Sequence, residues 1–272
     1  MPFEFAGIKL NNPCISASGC YGYGWEAENN FPGLNWGGIT TKTITVEKRE
    51  GNPPPRIFET PAGLINRIGL QNCGLTDFIN NELPLIKTLP YPAIISIFGN
   101  NTKEWLQLVT ILNDKEVPAF ELNLSCPNIK GKRLVEDIGG CADLVKELKR
   151  STKTPIIAKI NAMDDPFALT VELKKSGVNG IVCSNTLPAS VIHQGKIFNG
   201  GLSGSAIKPV VLKTIAEIKE NIDIAVAACG GIASLKDIED YKAAGADVFV
   251  LGSILLIQPD IINEILDKGD HK

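Results

Sequence analysis

The sequence predicts an α/β protein built as a closed (β/α)8 barrel with one loop insertion after the second strand. Three observations carry that prediction. Eight short apolar runs recur along 272 residues, alternating with helical segments. Within those segments the apolar residues repeat at three and four positions, as one face of a helix does. No glycine-rich G-x-G-x-x-G turn follows an early strand, as an open doubly wound sheet would usually require.

The strands are read in order at residues 13–18 (PCISAS), 37–42 (GGITTK), 93–99 (AIISIFG) and 119–125 (AFELNLS). Four more follow at 155–160 (PIIAKI), 180–185 (GIVCSN), 224–229 (IAVAAC) and 248–253 (VFVLGS). Helical spacing places Leu144, Val145 and Leu148 on one face of a helix over 142–149. Val211, Ile215 and Ile218 do the same over 210–218. No low-complexity linker divides the chain, so residues 1–272 are read as one barrel domain. The interval 43–91 breaks the rhythm. Its first half, VEKREGNPPPRIFETPAGLINRIGLQN, holds too many breakers for one helix and is expected to cover the barrel mouth as small hairpins.

Composition narrows the function. A net charge of −3 with dispersed lysines and arginines gives no basic surface for nucleic acid. No apolar run approaches the roughly 20 residues of a membrane span. The start, MPFEFAGIKL, lacks a basic region followed by an apolar one, so a cytoplasmic enzyme is expected. Seven cysteines are scattered without disulfide or metal spacing. No metal site is expected, and six of the seven are read as small buried hydrophobes or bystanders.

The chemistry concentrates at the strand ends. In ELNLSCPN, period-two geometry turns Phe120, Leu122 and Leu124 one way and Glu121, Asn123 and Ser125 the other, ahead of Cys126. Lys159 points opposite Ala158 and Ile160, into the barrel axis. A lysine buried there needs anionic or strongly polar company, so an anionic partner inside the barrel is expected. Lys42 ends the second strand. Glycine turns follow the last two strands, at CGGIAS (229–234) and LGS (251–253), and GGLSGS (200–205) precedes a Lys-Pro helix start. Glycines there admit backbone N–H groups close to an anion, as in the phosphate cup of many barrels.

These residues together resemble a class 1 dihydroorotate dehydrogenase over nearly the whole chain. The landmarks are ASGCYGYG, TKTITVEKREGNPPPR, AGLINRIGLQNCG, ELNLSCPN, PIIAKI, SNT, GGLSGSAIKP, ACGGI and LGS. The resemblance implies a barrel holding FMN and oxidising dihydroorotate to orotate in pyrimidine biosynthesis. It implies Cys126 as general base. It places Lys42, Asn66, Ile68, Gly69, Leu70, Asn123, Asn128, Asn185 and Thr186 on the substrate. On the flavin it places Ala17, Ser18, Lys42, Asn123, Lys159, Gly204, Gly230, Gly231, Gly252 and Ser253. The segment NIKGKRLVEDIGG leans toward the fumarate-linked subgroup, whereas SGCYGYG and GLQNCG lean toward the NAD-linked one. The acceptor therefore stays open between NAD and fumarate. The NAD form implies a partner subunit with FAD and an iron–sulfur cluster, and a homodimer or heterotetramer is expected. A dihydropyrimidine dehydrogenase-like subunit acting on uracil or thymine, and a flavin-free phosphate-binding barrel, are the alternatives.

The residues suit that reaction on their own terms. A thiol near its ordinary pKa of about 8.5 can take a proton once its surroundings ionise it. Amides match a ring of alternating N–H and C=O groups, because each carries both a donor and an acceptor.

Overall fold

The computed structural model describes residues 3–124 and 137–269. Eight parallel strands close into a barrel in chain order. They are β1 (Cys14–Ser16), β2 (Gly38–Thr40), β3 (Ala93–Ile97), β4 (Ala119–Asn123), β5 (Ile156–Ile160), β6 (Gly180–Cys183), β7 (Ala225–Cys229) and β8 (Val248–Leu251). The last pairs back with the first, Leu251 opposite Ser16. Each strand lies within its expected run, and all but β5 and β7 stop short of the predicted carboxyl end, where the chain leaves the ladder for the mouth loops.

Local chemistry explains where the outer helices start. Asn101, Asp137, Asp165 and Ser234 cap helices Thr102–Asn113, Ile138–Ser151, Pro166–Lys175 and Leu235–Ala243. Each side chain accepts a backbone N–H three residues further on. Proline near the start of Lys208–Asn221 sacrifices no helical hydrogen bond there. Leu144, Val145 and Leu148, then Val211, Ile215 and Ile218, are buried as expected.

Two apolar layers result. Outward strand residues such as Phe120, Leu122, Ile156 and Ala158 pack under the helices. Inward residues such as Ile15, Ile94, Ala119, Ile157 and Val182 form a separate core with Phe5, Ile8 and Leu10. Those last three come from an antiparallel hairpin, Phe3–Phe5 with Ile8–Leu10. A Cβ on Gly180, the first residue of β6, would lie 3.0 Å from Ala6, which puts the hairpin at the amino-terminal end of the barrel. The floor is thus apolar, and the polar inward residues are left for the mouth.

A four-stranded antiparallel sheet stands at the mouth. It combines the hairpin Ile57–Thr60 and Gly63–Asn66 with a second hairpin, Leu187–His193 and Lys196–Ser203. The first lies in the expected insertion after β2. The second, after β6, was not expected. Its tip, His193-Gln194-Gly195-Lys196, has two central residues at φ +49° and +74°, the conformation that two-residue hairpin turns require. Gly201 pairs with Asn66 and joins the two insertions.

Candidate functional site

Strand alternation sets the walls of the site. On β4, Phe120, Leu122 and Leu124 are fully buried in the outer layer, so Glu121 and Asn123 turn inward as the sequence pattern required. On β5 the same parity turns Lys159 inward, and the ladder sets it opposite Asn123. Ser18, just past β1, accepts a hydrogen bond from Lys159 Nζ at 3.2 Å.

Above these residues lies a cavity of about 270 Å³. Of the sequence-predicted residues, Ala17, Ser18, Lys42, Asn66, Ile68 and Leu70 line it. So do Asn123, Lys159, Asn185 and Thr186, and on the glycine side Gly204, Gly230, Gly231, Gly252 and Ser253. Gly69 lies in the same loop but is not part of the lining; its φ of +79° makes the turn between its two lining neighbours. Cys126 and Asn128 lie outside the described residues.

Burial and charge shape the electrostatics. Lys159 is only 5% exposed. Burial alone pushes its ammonium down, but attraction to the Glu121 carboxylate, with smaller contributions from the Cys229 and Cys20 sulfurs, carries it above the ordinary lysine value. Glu121, 2% exposed, is therefore an anionic partner of the kind the sequence called for. Lys42 lies 5.7 Å from the centroid of the Tyr23 ring, a cation–π approach that fixes the stem of a cavity-lining cation.

The glycine turns form one surface by close interlocking. A Cβ on Gly231 would lie 2.9 Å from the Gly204 carbonyl oxygen and 3.0 Å from Lys208 Cβ, so the loops after β6 and β7 touch backbone to backbone. Lys208 ties them from beneath, pairing with Asp237 and with Asp240 at 2.8 Å. Asp237 in turn accepts from the Ala233 N–H at 3.0 Å and the Ser234 hydroxyl at 2.7 Å. Asp237 carries no sequence motif of its own, and the partners of Lys208 and Glu121 become visible only once the strands are placed.

The described cysteines fit the expectation of small buried hydrophobes or bystanders: Cys14, Cys141, Cys183 and Cys229 are buried, Cys20 and Cys73 are half-buried, and Cys20 and Cys229 also line the cavity. Burial, partly offset by Lys159, pushes the Cys20 thiol up to about 12, and burial raises Cys229 as well. Both are neutral near pH 7 and serve as small apolar wall rather than as bases. Among the described residues no cluster of histidine, cysteine, aspartate or glutamate could hold a metal ion. No described helix is long and apolar enough to cross a membrane.

A parallel barrel with a polar, lysine-bearing cavity at the carboxyl ends of its strands is the architecture of many small-molecule enzymes. Comparison with known proteins narrows this class. The sequence profile described as "Dihydroorotate dehydrogenase" matches residues 1–271, and the chain belongs to that family of flavin-dependent oxidoreductases. A protein of Endomicrobium trichonymphae named "Dihydroorotate dehydrogenase B (NAD(+)), catalytic subunit" is 36% identical, over 97% of this chain and 89% of its own length. Proteins of the same name from Caldicellulosiruptor bescii and Halalkalibacterium halodurans are 38% and 33% identical. They are covered over 90% of their length by 96% and 97% of this chain.

Proposed function

We propose that this protein oxidises dihydroorotate to orotate in pyrimidine biosynthesis, with FMN at the barrel mouth and Cys126 as general base. The observation that carries the reading is the joint placement of Lys159, Asn123, Asn185 and three glycine turns around one cavity. The fit to FMN rests on the chain itself. The Gly204–Gly231 crossing leaves no room for a Cβ, as a surface meant to meet a phosphate with backbone N–H groups would. Lys159, buried yet positively charged, is suited to stabilise negative charge that develops on a bound ring.

When bound, FMN would supply the hydride acceptor. The chain's own residues do the rest. Gly204, Gly230, Gly231, Gly252 and Ser253 would hold the phosphate and ribityl portions, with Ala17, Ser18 and Lys159 along the ring. Lys42, Asn66, Asn123, Asn128, Asn185 and Thr186, with the Ile68–Leu70 turn, would orient the substrate. Cys126 would take the proton from the ring carbon. The names of the relatives support NAD as final acceptor and a partner subunit, which would carry the FAD and iron–sulfur cluster. The family match favours dihydroorotate over uracil or thymine. A cytoplasmic location belongs to the same reading.

Anaerobic dihydroorotate should bleach the flavin absorbance near about 450 nm, and dihydrouracil should not. Bleaching by dihydrouracil alone would overturn the reading. Cys126→Ser should slow that bleaching by about 10²–10⁴-fold while leaving FMN bound, because a hydroxyl ionises far less readily than a thiol and so offers almost no base near neutral pH. A stopped-flow trace with the wild-type rate would remove Cys126 from the mechanism.

A further inference from the structure

Three stretches of chain meet around one aromatic ring. Tyr23 follows β1, in the ASGCYGYG run. Lys42 follows β2, and its backbone N–H donates to the Gly22 carbonyl oxygen at 2.7 Å. Cys73 lies in the insertion after β2, where its backbone N–H donates to the Tyr23 hydroxyl at 3.0 Å. The same hydroxyl donates to Cys73 Sγ at 3.1 Å. At its other end Tyr23 donates its backbone N–H to Glu26 Oε2 at 2.9 Å, and the ring tilts against Phe78 with centroids 5.7 Å apart. The residue is buried. Held at backbone, ring and hydroxyl, it keeps one orientation.

Lys42 meets the face of that ring. Its Nζ stands 5.7 Å from the centroid, and the residue lines the cavity, whereas Tyr23 does not. Among the described residues, the Lys42 ammonium makes no hydrogen bond or salt bridge. Burial pushes the Tyr23 phenol above the ordinary tyrosine value, so the partner of the ammonium is a neutral ring and not a phenolate. The attraction is therefore to the negative face of the π system. Lysine carries its charge on a flexible four-carbon stem. An arriving ligand would otherwise have to order that stem, at a cost in affinity.

We infer that Tyr23 is a positioning residue: its ring face holds the Lys42 ammonium at the cavity wall before ligand arrives, and so raises the affinity for an anionic ligand. The inference rests on the proposed function, which puts Lys42 on the substrate; orotate carries a carboxylate and is such an anion. Tyr23 acts through Lys42 alone.

The test is titration calorimetry of orotate on the FMN-loaded protein. Tyr23→Phe keeps the ring face but deprives the Cys73 N–H of its acceptor. It should lower the melting temperature and leave the orotate dissociation constant within about twofold. Placing phenylalanine with five ring fluorines at the same position nearly keeps the shape and removes the negative face. That variant should melt like Tyr23→Phe yet bind orotate about three- to tenfold more weakly, the range of a cation–π contact. Tyr23→Leu should weaken orotate equally, and the fluorinated form serves if the leucine variant does not fold. A cycle with Lys42→Met locates the effect. In that background fluorination should no longer weaken orotate, whereas a merely loosened site would lose affinity in both backgrounds. Equal affinity of the fluorinated and plain phenylalanine variants, tighter binding on fluorination, or an effect that persists without Lys42 overturns the inference. A wild-type protein that binds no orotate overturns the proposed function itself, and this inference with it.

Discussion

Lys159→Met should slow flavin reduction by dihydroorotate by about 10²–10³-fold, the usual cost of removing one preorganised electrostatic partner of a developing charge. The lysine meets the requirements for that role. It is buried, lines the cavity, and is held by the Ser18 hydroxyl at 3.2 Å. The same change should also destabilise the fold, because it leaves Glu121 buried without the cation it faces. Removing the charge that offsets a buried carboxylate is destabilising, so the melting temperature should fall. Two effects of one substitution can be separated. The double variant Lys159→Met with Glu121→Gln removes both charges, so its melting temperature should recover most of the loss while its reduction rate should not. Recovery of the rate in the double variant would mean that Lys159 merely neutralises Glu121.

The pH dependence of this pair has a definite sign. Lys159 is shifted upward in the folded state, net of burial, which alone would lower it. A raised lysine contributes stability that is complete below its unfolded value, near the ordinary 10.5. That stability is lost only as pH rises through the still higher folded value. Across neutral and mildly alkaline solution the ammonium therefore stays charged. An alkaline fall in the reduction rate near neutrality should belong to some other group.

Much of this site was legible in the sequence because its strands obey period two. The parity of ELNLS alone turned Asn123 inward, and the parity of IIAKI did the same for Lys159. The barrel followed from the recurrence of such runs. What the sequence could not reveal is who meets whom across strands distant in the chain. Glu121 stood on the polar face of its strand, but its partner Ser96 lies 25 residues away, and Thr43, which meets Ser96, lies 78 away. Cys20 and Cys229 look like any small buried residue until the mouth loops are placed beside them. The hairpin at Leu187–Ser203 was missed for a related reason. Its strands contain proline, serine and two glycines, and Ile192 and Ile197 near its tip are exposed, so it has no alternating apolar face. It is stabilised as a strand pair by docking on Gly63–Asn66, a partner remote in sequence.

Gly204→Ala should empty the site of FMN and lower the melting temperature together. Gly204 sits at φ +92°, ψ −167°, a region that only glycine occupies freely. An added Cβ would fall 2.5 Å from Gly63 Cα and 3.0 Å from the Ala62 carbonyl oxygen, both backbone atoms that cannot rotate away. Backbone strain of about 1–3 kcal/mol and overpacking of a similar size therefore add. Relief would require the first mouth hairpin to lift from the turn after the second. Ala62 anchors that contact, accepting from the Ala206 N–H at 2.9 Å and the Ser205 hydroxyl at 3.1 Å. Lifting it also disturbs the Gly204 carbonyl against which Gly231 is packed, so the proposed phosphate surface opens at its centre. Gly195→Ala isolates the strain from the site. That glycine also has a positive φ, +74°, but nothing lies within 4 Å of its missing Cβ, at the tip of the other hairpin. Its substitution should cost about 1 kcal/mol and leave FMN affinity unchanged in a fluorescence titration. Riboflavin, which lacks the phosphate, provides the decisive arm. If the glycine turns hold the phosphate, Gly204→Ala should weaken FMN far more than riboflavin, whereas equal losses for both would place the phosphate elsewhere on the chain.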